Sequence, residues 1–165
     1  MTEKLVIIPR LVTGKIKAIN LILFAASVAL LTSALFIAVE LFLLPAIMML
    51  VLWIWRNFFN NIEYEYTYYD GELCIAKITN KARRKHLAEI HMEDVIIIAP
   101  KGDRSVYKYE TDRSILVKDY TSGDETANVY ELIHSLDGIT CCYKFEPDEE
   151  MLNAISMKYP RLIAK

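Results

Sequence analysis

From Ala18 to Trp55 the chain carries a single charged residue, Glu40, in thirty-eight positions. This run restricts the fold more than any other feature. A helix packed on a soluble core keeps a polar stripe on its outer side, and no such stripe exists here. The hydrocarbon core of a bilayer is about 30 Å thick and takes roughly 20 apolar residues per helical crossing. Thirty-eight residues exceed one crossing and suit two. The polar pair Thr32-Ser33 falls near the middle, where a tight turn is expected, so the spans are read as about Ile16 to Thr32 and Phe36 to Trp55. A cleaved signal peptide has an apolar region of only about 7 to 15 residues. This run continues far past that length, so an uncleaved hairpin is expected.

Basic residues set the orientation, because lysine and arginine collect on the cytoplasmic side of membrane spans. Lys4, Arg10, Lys15 and Lys17 precede the apolar run; Arg56, Lys77, Lys81, Arg83, Arg84 and Lys85 follow it; the expected turn has none. Both flanks are therefore expected in the cytoplasm, which makes the chain a multi-pass protein of the cell membrane with both termini inside. The domain plan is a cytoplasmic N-terminal segment over 1–15, a transmembrane hairpin over 16–56 and a cytoplasmic β domain over 57–165. Three cysteines, Cys74, Cys141 and Cys142, cannot all pair within one chain, an odd count that suits a reducing compartment. Trp53 and Trp55 close the second span at the depth where amphipathic rings anchor to the interface. Glu40 lies in the first turn of the second span, as a snorkelling residue or an intramembrane polar contact. Pro45 is expected to kink that helix, and Ala25, Ala26, Ala29 and Ala34 to let the helices approach.

Arg56 to Lys165 reads as an ordinary soluble sequence, with 15 Lys and Arg against 19 Asp and Glu. An acidic domain is a poor match for nucleic acid, whose binding rests on neutralising phosphates. Tyr64, Tyr66 and Tyr68 alternate with Glu63, Glu65 and Thr67, which is the period of a half-buried strand. Asp70-Gly71 supplies a hairpin turn, and Glu72 to Thr79 a second strand. Asn80 to Lys85 is read as a basic turn, then His86 to Met92 and Val95 to Ala99 as one strand region bent at Glu93-Asp94. Arg104 to Arg113 stays open between strand, helix and loop. Ile115 to Tyr120, Val129 to Ser135 and Ile139 to Phe145 are further strands, the last two joined by Leu136-Asp137-Gly138. The acidic run Glu146 to Glu150, with Pro147, opens a helix over about 147–159, whose stripe of Met151, Leu152, Ile155 and Tyr159 faces the sheet.

About six antiparallel strands closed by one C-terminal amphipathic helix resemble a pleckstrin-homology-like (PH-like) domain. The runs Y-E-Y-T-Y-Y-D-G-E-L (Tyr64 to Leu73), R-R-K-H-L (Arg83 to Leu87), I-I-I-A-P (ending at Pro100), D-Y-T-S-G (Asp119 to Gly123) and F-E-P-D-E-E-M (Phe145 to Met151) carry the resemblance. Together they look like an uncharacterised family of small membrane proteins from clostridia and related Gram-positive bacteria, over nearly the whole chain. The fold this implies is α+β: a transmembrane helical hairpin, then a mostly antiparallel, partly open β-barrel plugged by a C-terminal helix. The resemblance brings no activity with it.

Reactive chemistry is absent from the motifs. His86, His91 and His134 lack metal-ligand spacing, there is no phosphate loop or Gly-x-Ser-x-Gly, and no Cys-x-x-Cys occurs. No cofactor or metal is expected, and the chain is read as non-enzymatic. The most suggestive cluster is Lys81, Arg83, Arg84 and Lys85, four cations near the inner leaflet that suit anionic headgroups or a partner, or else only solvate a turn. The leading expectation is a membrane-anchored module binding a protein partner or anionic lipid at the cytoplasmic face. The alternative is a small subunit of a larger membrane complex, held through its hairpin.

Overall fold

The alternating tyrosines give one aromatic face and one polar face, which suits a strand lying over a core. In the computed structural model, which describes residues 3–12, 14–59, 61–112, 114–136 and 138–164, they lie on strand β2 (Ile62–Tyr69), and all three are buried. Strand β3 (Glu72–Thr79) returns through Asp70 and Gly71, at φ of 48° and 98°, the positive values that a two-residue hairpin loop demands. Gly71 meets a second constraint: a Cβ there would lie 2.7 Å from the Tyr159 hydroxyl. After the loop Asn80-Lys81-Ala82, strand β4 (Arg83–His91) pairs antiparallel with β3. The expected bend at Glu93-Asp94 is a 3₁₀ turn (Met92–Asp94), which carries the chain from one sheet into the other.

The first sheet has a fourth strand that the sequence reading lacks. Strand β1 (Lys4–Pro9) pairs antiparallel with β2, Lys4 opposite Tyr68 and Pro9 opposite Glu63, giving the order β1-β2-β3-β4. The N-terminal segment, expected to stand apart over 1–15, thus supplies an edge strand of the β domain. The second sheet comprises β5 (Val95–Pro100), β6 (Leu116–Asp119), β7 (Tyr130–Leu136) and β8 (Ile139–Phe145), in the order β5-β7-β8-β6, with β6 parallel to β8. Part of the stretch 104–113 is a short helix, α3 (Tyr107–Thr111); Arg113 there, and Asp137 of the β7–β8 turn, lie outside the described residues.

Between β5 and β7 the chain has little regular structure, and four Asp-x-Ser/Thr tripeptides shape it. Asp103, Asp112, Asp119 and Asp124 each accept both the N–H and the hydroxyl of the residue two positions on, at 2.6–3.0 Å. Such side-chain turns satisfy backbone donors where no ladder is available.

The two sheets share a core without closing into a barrel. The Tyr66 ring stands edge-on to Phe145 at 5.9 Å, and its hydroxyl donates to the Tyr120 carbonyl. Helix α4 (Glu149–Lys158) begins two residues later than expected, with Asp148 as its cap: Oδ1 accepts the Met151 N–H at 2.7 Å. Met151 and Ile155, from the expected stripe, are fully buried, each contributing about 2 kcal/mol. Lys4–Glu150 and Lys158–Asp70 ion pairs tie the helix to β1 and to the β2–β3 turn.

Residues Leu11–Ile62 form a separate compact unit. It holds α1 (Gly14–Phe36) and α2 (Val39–Phe59), about 34 and 31 Å long at 1.5 Å per residue. Only 11% and 6% of their most apolar windows are buried in protein, whereas a soluble core would cover such helices. The turn falls at Ile37-Ala38, not at Thr32-Ser33. Those two residues stay helical because their hydroxyls donate to the Ala29 carbonyl at 2.8 and 2.9 Å, which meets their polarity inside the helix. Ser27, Ala34 and Ala46 are buried on the helix seam.

Candidate functional site

The basic cluster expected on one loop is divided by the strand register. Lys81 sits in the loop at φ 56°, while Arg83, Arg84 and Lys85 open β4. The Arg84 guanidinium is paired with Glu65, whose side chain is nearly buried. Lys85 stands directly across the ladder from Lys77. The cluster therefore spreads over a loop and a strand, with one of its four charges already neutralised.

At the helical pair, Trp55 is exposed, its ring edge-on to Phe59 at 5.3 Å. Trp53 instead turns inward, its ring 5.1 Å from Phe24 of the other helix. Glu40 lies in the first turn of α2, beside the interhelical turn, and is exposed. Of the other sequence candidates, Ala34 takes up the seam position expected of it.

Sequence reasoning missed a polar network at the opposite end of the pair. Asn20 donates to Asn57 Oδ1 at 3.0 Å, Arg56 Nε donates to Asn20 Oδ1 at 3.1 Å, and Asn57 Nδ2 donates to the Trp53 carbonyl at 3.1 Å. The signal was present as two asparagines flanking an apolar run, but they lie thirty-seven positions apart. Beside the network is a cleft of about 460 Å³ bordered by Lys17, Asn20, Phe24, Trp53 and Asn57.

A family match takes in both halves of this architecture. A family of bacterial PH-like domains, DUF6106, matches residues 2–165. The chain belongs to the bacterial PH-like domain family DUF6106. Since the match begins before β1 and ends at the last residue, the apolar helices are part of the DUF6106 unit rather than an addition to it. No curated protein and no solved structure gives a significant match. The DUF6106 membership bears out the PH-like, α+β reading of the residues, and PH-like domains serve as interaction modules.

Three further arrangements in this DUF6106 domain bear on its chemistry. Glu131 of β7 is fully buried, with Lys144 of β8 directly opposite and its ammonium 2.9 Å from Oε1. Burial pushes the carboxyl upward in pKa while Lys144 holds it down. The neighbouring Cys142 thiol is pushed up to about 12 by burial and the adjacent carboxylate, so it is a packing group rather than a nucleophile. Glu72, Glu89 and His91 meet on the outer face of β3 and β4, their ligand atoms within 4.8 Å of one another. Linear spacing hid this set because cross-strand pairing assembles it, and among the described residues these three could hold a metal. All three are exposed, and the imidazole Nδ1 of His91 lies 3.3 Å from Glu72 Oε1. Last, a groove of about 610 Å³ runs between α4 and β1, bordered by Lys4, Tyr68, Glu150, Met157 and Lys158.

Proposed function

We propose that this chain is a membrane-anchored, non-enzymatic PH-like module, with α1 and α2 crossing the bilayer and the β domain held at the cytoplasmic face to bind a protein partner or anionic lipid. The observation that carries the reading is the pairing of β1 with β2. The chain leaves one strand at Pro9 to enter α1 and returns from α2 into the neighbouring strand at Glu63. Both ends of the hairpin thus belong to one sheet, which supports two crossings over one. Lys15, Lys17 and Arg56 at those ends, with no basic residue at the Ile37-Ala38 turn, support the cytoplasmic side. The α4–β1 groove, with Met157 exposed and ion pairs along its margin, supports a protein partner there.

Reporter fusions at each terminus test the topology: both are expected to report the cytoplasm, and opposite signals would overturn it. Site-specific photocrosslinking at Met157 tests the function. A defined crosslinked partner is expected, while labelling that matches an exposed control site would remove the groove from consideration. A second reading, a subunit held in a larger complex through the hairpin, draws on Glu40, an exposed carboxylate with no partner among the described residues. An unchanged native size for Glu40→Gln would argue against it.

A further inference from the structure

The network between α1 and α2 leaves a particular set of groups facing its cleft. An asparagine amide offers two donor hydrogens and one acceptor oxygen. The oxygen of Asn20 is taken by Arg56, and the oxygen of Asn57 is taken by Asn20. Each amide nitrogen spends one hydrogen inside the protein, on Asn57 Oδ1 and on the Trp53 carbonyl. One N–H of each asparagine, the Trp53 indole N–H and the Lys17 ammonium have no partner among the described residues, and Asn61 also borders the cleft with an amide that can donate or accept. Lys17 is exposed and has no carboxylate partner among the described residues, and no acidic side chain borders the cleft. A cavity bordered by several donors and a cation, with no carboxylate on its lining, favours an anion.

The opposite wall is apolar. Leu21, Phe24 and Trp53 line it, and at about 460 Å³ the cleft is far larger than a lone phosphate. An anion attached to a hydrocarbon chain fits both walls. We infer that this cleft is a binding site for an anionic phospholipid, with the phosphodiester oxygens on Lys17, Asn20 and Asn57 and an acyl chain along Leu21, Phe24 and Trp53. A zwitterionic lipid carries a cationic headgroup that would meet Lys17 with no carboxylate to receive it, so the site discriminates by headgroup charge. Arg56 is a positioning residue: its Nε–H holds the Asn20 amide oxygen at 3.1 Å. The inference rests on the reading that α1 and α2 span the bilayer.

The test uses the full chain carrying Trp55→Phe, which leaves Trp53 as the one tryptophan, in vesicles containing phosphatidylglycerol or phosphatidylcholine brominated on the acyl chains. Brominated phosphatidylglycerol is expected to quench Trp53 at about five-fold lower mole fraction than brominated phosphatidylcholine, the scale of one lysine–headgroup contact. Lys17→Gln is expected to reduce that preference below two-fold, while Lys15→Gln, two positions away on the same helix and outside the cleft, keeps it. Equal quenching by the two lipids overturns the site but leaves the spanning reading standing. An equal loss in Lys15→Gln also overturns it, by reducing the effect to general surface charge. Quenching by neither lipid overturns the spanning reading and the site with it. If millimolar inorganic phosphate abolishes the preference, the cleft takes a free anion and not a lipid.

Discussion

Lys144→Met isolates a carboxylate that has nowhere to go. The Glu131 side chain is fully buried, Lys144 is its counter-ion at 2.9 Å, and no hydrogen bond of good geometry reaches either carboxylate oxygen. Glu110 adds a second negative charge nearby. Without Lys144, Glu131 has two routes. Staying ionised costs about 3–5 kcal/mol, the usual penalty for a stranded buried charge. Taking a proton costs about 1.4 kcal/mol for each pH unit above the unfolded glutamate value near 4.3, hence about 3.7 kcal/mol at pH 7. The cheaper route sets the loss, about 3–4 kcal/mol at pH 7. The sign follows from the direction of the shift. Because the folded-state pKa is raised, the folded variant holds its proton above the pH at which the unfolded chain releases one. The destabilisation is therefore absent below about pH 4.3 and grows as pH rises through the window between the two values. Hydrogen exchange measured by mass spectrometry on the full chain in detergent, over peptides covering Tyr130–Phe145, reads this directly. Opening is expected to rise by about 500-fold at pH 7 and by progressively less toward pH 5. A variant within about 0.5 kcal/mol of the parent at pH 7, or a loss that ignores pH, would refute the reasoning. The double variant Glu131→Leu with Lys144→Met is expected to recover most of the stability, because an apolar pair suits the site beside Cys142.

Gly71→Ala places a side chain at φ 98° and 2.7 Å from the Tyr159 hydroxyl; thermal unfolding is expected to report a loss of at least about 1–2 kcal/mol. Lys81→Gly relieves a lysine held at φ 56° and is expected to stabilise by about 0.5 kcal/mol; a lower melting temperature would mean that the Lys81 side chain contributes contacts of its own. A maleimide at pH 7 is expected to modify half-buried Cys74 first and to leave Cys142, buried and pushed up to about 12, untouched in the folded chain; equal labelling would contradict the packing. Hydrogen bonds from the residue two positions on hold the Asp103, Asp112 and Asp124 carboxyls below the usual range. Their depressed values stabilise the β5–β7 connection above about pH 3.9 and lose that contribution as pH falls through the folded values. Near-UV dichroism of the tyrosines is expected to weaken between pH 4 and about 2, and a flat signal would count against these turns.

Elements set by local pattern were legible in the sequence. The tyrosine alternation and Asp70-Gly71 place β2 and β3 at the residues where they occur, and the Met151–Ile155 spacing with its acidic start places α4. What escaped depends on partners distant in the chain. Leu5 to Ile8 is an unbroken apolar run with no alternation, and it becomes a strand only through β2, which lies beyond both helices. The pair Thr32-Ser33 looks like a turn by polarity, yet each hydroxyl finds a carbonyl in the preceding turn of its own helix. Arg83 to Lys85 reads as loop by charge, but β3 supplies a ladder that forms even with Lys85 opposite Lys77. Asn20 and Asn57 gain meaning only when the two helices close on each other.

The pairing of β1 with β2 also sets an order of events during synthesis. β1 leaves the ribosome first, but its partner follows only after both apolar helices have been made. The strand must wait, unpaired, until β2 is made. If α1 and α2 span the bilayer as proposed, an insertion that carried β1 alone across would leave the sheet one strand short, with β2 as an open edge. On the reading that both helices span the bilayer, the finished sheet thereby acts as a check on hairpin insertion: a chain whose two flanks lie on opposite sides cannot complete its fold.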